Sequence, residues 1–205
     1  MIGIIDYGVG NIRAFVNIYR KLSIPVRIIK NQLDLVGVTR LILPGVGSFD
    51  YAMNRLDRSG LRPELDMLVL EDKMPVLGIC VGMQMLAYDS DEGSLPGLKW
   101  IDASVKKFDA DKIPFETHLP HMGWNDVQPV GKSLLFDGLE EDAKFYFLHS
   151  YYFSSNQPNT EIAVCKYGIE FSCAVNYGNI YGVQFHPEKS HHYGIGLLKN
   201  FATKC

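Results

Sequence analysis

With 205 residues, 47% of them hydrophobic and 21% charged, the chain has the size and balance of one globular domain, residues 1–205, with a core of its own. A formal net charge of −3 without a basic run argues against a dedicated nucleic-acid surface, and no apolar stretch is long enough to span a membrane. Cys80, Cys165, Cys173 and Cys205 are far apart, with no CxxC pair and no histidine at metal-ligand spacing, so neither disulfides nor a metal site are expected, which suits a reducing cytoplasm.

The opening MIGIIDYG has no basic residues ahead of its apolar run and reads as a first strand over 2–6 rather than a signal peptide. Apolar residues then recur at helical spacing over 11–22 (Ile12, Phe15, Val16, Tyr19, Leu22), which opens a βαβ unit. The connecting Gly8-Val9-Gly10 lacks the third glycine of a dinucleotide fingerprint, because Arg13 stands there, and reads as a plain strand-to-helix turn. Further strands are expected over 25–29, 41–43 and 76–79, with helical stretches around 51–56 and 63–70. This alternation predicts an α/β fold: an open, mostly parallel sheet with helices on both faces.

After an acidic loop over 89–97, short extended segments alternate with turns at 104–108, 144–148, 161–166, 171–176 and 180–185. Asn176-Tyr177-Gly178-Asn179 is a hairpin signal, and 193–204 returns to helical period. The second half therefore adds antiparallel strands to the parallel sheet. Residues 118–125, with Met122, Trp124 and Asn125 beside a glycine, are expected to form a loop suited to protein contact, and 146–152 a strand with cross-strand aromatic pairs.

Chemistry concentrates in three places. GICVGMQ, residues 78–84, reads as strand, sharp turn and helix with Cys80 at the turn, where helix N–H groups favour a thiolate. On its own, Cys80 reads first as a small apolar residue behind a strand. YGVQFHPE, residues 181–188, brings His186 and Glu188, two residues apart in an extended segment, so that the carboxylate can orient the imidazole. Pro44-Gly45-Val46-Gly47 follows a strand and can turn an N–H toward a developing oxyanion, or be no more than a tight turn. A distant cysteine, a histidine and its carboxylate are the parts of a Cys-His-Glu triad.

DYGVGN, PGVGSF, GICVGMQ, PHMGWN, FLHSY and QFHPEKS, in this order and spacing, make the chain similar to class I glutamine amidotransferases, in particular the HisH-type glutaminase subunits of imidazole glycerol phosphate synthase. Anthranilate-synthase-type relatives usually carry His where Met83 stands, and the vitamin B6 amidotransferase opens differently. The resemblance implies a flavodoxin-like amidotransferase fold, a glutamyl thioester on Cys80, proton transfer by His186 and support from Glu188. It implies an oxyanion site from the N–H of Val81 and the Val46-Gly47 turn, and glutamine held by Gln84, Glu92 and the backbone of His149, Ser150 and Tyr151. It also implies no cofactor and no metal, and a separate HisF-type (β/α)8 cyclase subunit in a heterodimer, met by Met122, Trp124, Asn125, Tyr146 and Lys189. In such a pair the oxyanion turn must reorient before the glutaminase works, in the service of histidine biosynthesis. His191-His192 departs from the usual pairing and leaves open a paralogue that supplies ammonia for amidino-sugar synthesis in surface polysaccharides. From other classes, a non-catalytic flavodoxin-like binding module or a peptidase with the same Cys turn remain alternatives.

Overall fold

The computed structural model describes residues 1–114, 116 and 118–205. The first half runs β1 (Ile2–Ile5), α1 (Ile12–Lys21), β2 (Val26–Ile29), β3 (Arg40–Gly45), α2 (Phe49–Ser59), α3 (Arg62–Asp66), β4 (Val76–Cys80) and α4 (Val81–Gln84). A wide π-type turn, Met67–Glu71, extends α3. The second half adds β5 (Asp89–Ser90), β6 (Ala103–Lys107), β7 (His121–Asp126), β8 (Gln128–Pro129), β9 (Lys144–His149), β10 (Tyr151–Ser155), β11 (Glu161–Tyr167), β12 (Ile169–Tyr177), β13 (Ile180–Val183) and α5 (His191–Thr203).

The main sheet has the order β2-β1-β3-β4-β13-β12-β10-β6-β5, with β11 and β8 branching from β12. Its β2-β1-β3-β4-β13 portion is parallel throughout. Residues of these strands are buried on both sides, as in Ile2, Ile4, Leu41, Ile42, Val76 and Leu77, which is why they read as continuous apolar runs. From β1 the chain steps outward through α1 to β2, and from β3 it steps the other way through α2 and α3 to β4. Right-handed crossovers then place the two sets of helices on opposite faces. Tyr19 of α1 donates its hydroxyl to the Leu198 carbonyl of α5 at 3.2 Å, so these two helices share one face.

Gly178-Asn179 forms the two-residue turn between antiparallel β12 and β13, with Tyr177 opposite Ile180, as expected of that hairpin. Four sequence expectations are corrected. Residues 118–125 are not a loop throughout: β7 pairs with β9 in a separate two-stranded ribbon. The 146–152 strand is two strands, broken at Ser150, where the chain leaves the ribbon and enters the main sheet. The strand expected over 180–185 ends at Val183. The helix after Cys80 is a single turn, because Met83, Leu86 and Ala87 are buried beneath neighbouring elements rather than along one face of a longer helix.

The topology decides what meets what. Strands β3, β4 and β13 are neighbours and parallel, with Gly45 level with Cys80 and Ile79 level with Val183. The turn after Gly45, the thiol of Cys80 and the segment leading to His186 therefore emerge side by side at the carboxyl ends of adjacent strands, the usual place for ligands in such sheets.

Candidate active site

Cys80 closes β4 with φ 55° and ψ −114°, a conformation that costs a non-glycine residue energy and is held by its surroundings. Those surroundings are backbone. A Cβ on Gly82 would lie 1.9 Å from the Leu43 oxygen, and one on Gly45 would lie 2.3 Å from the Gly82 nitrogen. The end of β3 and the turn beneath Cys80 can touch only because both residues lack side chains. Since α4 is one turn long, its dipole is a minor influence, and the charged partner of the sulfur is an imidazole.

That imidazole is His186, which lines the same cavity as Cys80 and whose pKa the cysteine helps to raise. Its Nδ1 meets Glu188 Oε1 at 3.0 Å, leaving the other ring nitrogen for the sulfur. Burial alone would disfavour the imidazolium; hydrogen bonds and charge from Cys80 and Glu188 outweigh it and raise the pKa to about 10. Glu188 Oε2 is buried without a hydrogen-bond partner among the described residues, so this carboxylate is committed to His186. The pair is not arranged by strand alternation as the sequence suggested, since Pro187–Lys189 forms a 3-10 turn that folds the carboxylate back. Ser190 fixes the turn: its hydroxyl donates to the His186 carbonyl at 2.6 Å and accepts the Tyr146 N–H at 3.0 Å. In addition, the His186 N–H donates to the Tyr146 carbonyl at 2.8 Å, tying the imidazole to β9.

Cys80 and His186 face a cavity of about 280 Å³, small for a ligand site and suited to a free amino acid. Val46, Gly47 and Val81 line it, together with Gln84, Glu92, His149, Ser150, Tyr151 and Lys189. Gly47 has φ 88°, and the nearest atom to a Cβ there would be 3.7 Å away, so this turn has room. Glu92 accepts the Phe49 N–H at 2.8 Å, which anchors the acidic loop to the start of α2. Asp50 clasps it from the other side, accepting the N–H groups of Ser94 and Leu95.

Beside the cavity lies a pair of imidazoles. His121 Nδ1 and His149 Nε2 are 2.9 Å apart, His149 Nδ1 is 2.7 Å from the Tyr151 carbonyl, and Asn125 Nδ2 is 3.1 Å from His121 Nε2. A carbonyl can only accept, so His149 carries its proton on Nδ1, His121 likewise, and Asn125 donates to the far end. Both rings are neutral: burial lowers His121 to about 4, and burial, with the repulsion that a second imidazolium beside His121 or His186 would meet, lowers His149 to about 3.

The ribbon's other face is open. Met122 is 63% and Trp124 47% exposed, opposite Leu148 and Tyr146 respectively. His191 stacks on Trp124 at 5.1 Å, and Lys189 Nζ lies 5.4 Å from the Tyr146 ring centre. Asn125 departs from the group assigned to protein contact: its amide is engaged by His121 and the Lys166 carbonyl.

The sequence reading missed three contributors. Gln184, fully buried, bridges Gln84 and the Cys80 sulfur, and was counted as an ordinary strand residue. Ser190 closes the QFHPEKS motif, which gave no sign of its part in the turn. Tyr7, in the glycine turn set aside as plain, donates its hydroxyl to the Pro44 carbonyl at 2.6 Å and so braces the root of the 44–47 turn. Cys165 and Cys173, by contrast, are buried thiols, and burial pushes Cys165 up to about 12. Among the described residues, no three His, Cys, Asp or Glu side chains are grouped to hold a metal ion.

The family model described as "Glutamine amidotransferase class-I" matches residues 3–205. The chain belongs to the class I glutamine amidotransferases. Relatives named "Imidazole glycerol phosphate synthase subunit HisH" include one from Bdellovibrio bacteriovorus, 58% identical over 98% of this chain and 99% of its own length. Another, from Leptospira borgpetersenii, is 50% identical over 99% of this chain and all of its own length. Among solved structures, a glutamine amidotransferase from Thermotoga maritima shares the fold, with a TM-score of 0.65 at 20% identity over 91% of this chain and 75% of that one.

Proposed function

We propose that the chain is the HisH-type glutaminase subunit of an imidazole glycerol phosphate synthase, hydrolysing L-glutamine through Cys80, His186 and Glu188. The observation that carries this reading is the placement of Cys80 and His186 together on the wall of an amino-acid-sized cavity, with Glu188 on the far side of the imidazole. His186 holds the thiol proton as an imidazolium, and the Cys80 thiolate attacks the side-chain amide carbon. The oxyanion is received by the N–H of Val81 and an N–H of the Val46-Gly47 turn. His186 then delivers its proton to the departing ammonia, leaving a glutamyl thioester. Water, deprotonated by the same imidazole, hydrolyses the thioester to glutamate.

Glu92, with Gln84 and the backbone of His149, Ser150 and Tyr151, is suited to the ammonium and carboxylate of the substrate. The exposed ribbon face of Met122, Trp124 and Tyr146, with Lys189 beside it, supports a protein partner at this edge, a HisF-type (β/α)8 cyclase subunit that consumes the ammonia. High identity to HisH-named relatives over the full chain supports the histidine pathway and a cytoplasmic setting. Among the described residues, no helix is long and apolar enough to cross a membrane.

The test is ammonia release from glutamine with and without such a cyclase subunit. The intact chain gives activity that rises with the partner, and Cys80→Ala abolishes both the activity and covalent labelling by diazo-oxo-norleucine. Retention of the rate by Cys80→Ala would overturn the assignment. Complementation of a histidine auxotroph separates the histidine pathway from amidino-sugar synthesis.

A further inference from the structure

Resting on the reading of Cys80 as nucleophile, we infer that Gln184 is a positioning residue: its side-chain amide donates to the Cys80 sulfur and holds the thiolate that His186 balances. Gln184 is fully buried, and both ends of its amide are committed. Its Oε1 accepts from Gln84 Nε2 at 3.0 Å, and its Nε2 points to the Cys80 sulfur at 3.8 Å, contact distance for an N–H and an atom as large as sulfur.

The orientation of this amide follows from a backbone atom. Gln84 Nε2 also donates to the Tyr151 carbonyl at 3.4 Å, the carbonyl that accepts from His149. Turning Gln184 around would set two NH₂ groups against each other, and turning Gln84 as well would face two oxygens across that carbonyl. An acceptor that cannot donate therefore fixes the chain from Tyr151 through Gln84 and Gln184, so that an N–H meets the sulfur. The nearby Leu148 carbonyl, 3.9 Å from the sulfur, can accept from a thiol but offers nothing to a thiolate. Gln184 presents a donor to the sulfur, in a dry site where such a bond is strengthened. Gln184 does not line the cavity, so it acts through Cys80 and not on glutamine.

The experiment is the pH dependence of Cys80 alkylation by iodoacetamide, followed by peptide mapping so that Cys165, Cys173 and Cys205 are read separately. Gln184→Met removes the donor at similar volume; Gln184→Glu keeps the shape and places an acceptor against the sulfur. We expect the midpoint to move upward by about one unit in Gln184→Met, roughly a tenfold loss of alkylation rate below the midpoint, and further in Gln184→Glu. With the cyclase subunit present, kcat should fall while KM for glutamine stays within about twofold. Thermal melts confirm that each variant is folded. Profiles in a folded variant that superimpose on the wild type overturn the inference and leave the nucleophile assignment standing. A wild-type Cys80 no more reactive than Cys205 overturns that assignment itself, and the inference with it.

Discussion

His186 and His149 are both buried, both border the same cavity, and are driven in opposite directions. His186 is raised to about 10, whereas His149 is lowered to about 3. Burial works against the charged form of each, so the difference comes from the partner. His186 has a carboxylate and a sulfur; His149 has a second neutral imidazole and a carbonyl. Equal removal from water thus yields an ion pair in one place and a fixed, uncharged tautomer in the other, and the proposed chemistry uses both: a proton carrier beside Cys80 and an unmoving wall behind the substrate.

Substitutions can break this contrast. The largest effect is expected from His186→Asn, which removes the proton carrier and should reduce glutamine turnover by about 10³-fold or more, measured as ammonia release with the cyclase subunit present. Glu188→Gln makes His186 resemble its neighbour by withdrawing a negative partner. Turnover should fall on the order of 10²-fold, and the imidazole proton should titrate at lower pH by NMR. The smallest effect is in the other pair, where His121→Phe keeps a ring between Phe147 and Tyr167 but leaves His149 Nε2 without its donor. Stability near neutral pH should drop by about 1–3 kcal/mol in urea titrations.

The pH dependence of stability sharpens the same contrast, because the two pairs act on opposite limbs. For His121 and His149, folded values below the ordinary 6.5 mean that the unfolded chain binds protons first. Their contribution is complete above pH 6.5 and is lost as pH falls toward 4 and 3. For His186 the sign reverses: its contribution is complete below pH 6.5 and is lost as pH rises toward 10. His121→Phe should therefore flatten the acid limb of the stability curve and Glu188→Gln the alkaline limb.

Much of this site was legible in the sequence because its parts sit where strands end, and parallel strands announce themselves as unbroken apolar runs. Ile2 to Ile5, Leu41 to Leu43 and Val76 to Ile79 fixed the sheet's parallel half, and with it the neighbourhood of Cys80, the 44–47 turn and His186. The ribbon was not legible, since two of its inward positions are polar: His121 and Asn125 satisfy each other and His149, so β7 lacks the apolar alternation that marks a strand. Gln184 was hidden for a similar reason, because a glutamine among apolar strand residues gives no sign of its acceptor until the sulfur is seen beside it. The 3-10 fold between His186 and Glu188 was missed because spacing alone is compatible with several backbones.

The glycine contact between β3 and the cysteine turn has a mechanical consequence. With the Gly45 and Gly82 backbones in direct touch, the base of the 44–47 turn cannot shift without carrying the nucleophile along. One residue later the restraint ends: Val46 is 42% exposed and the space around Gly47 is open. Any reorientation of the Val46-Gly47 peptide thereby pivots on a stationary footing, and the sulfur can keep its aim while that N–H turns.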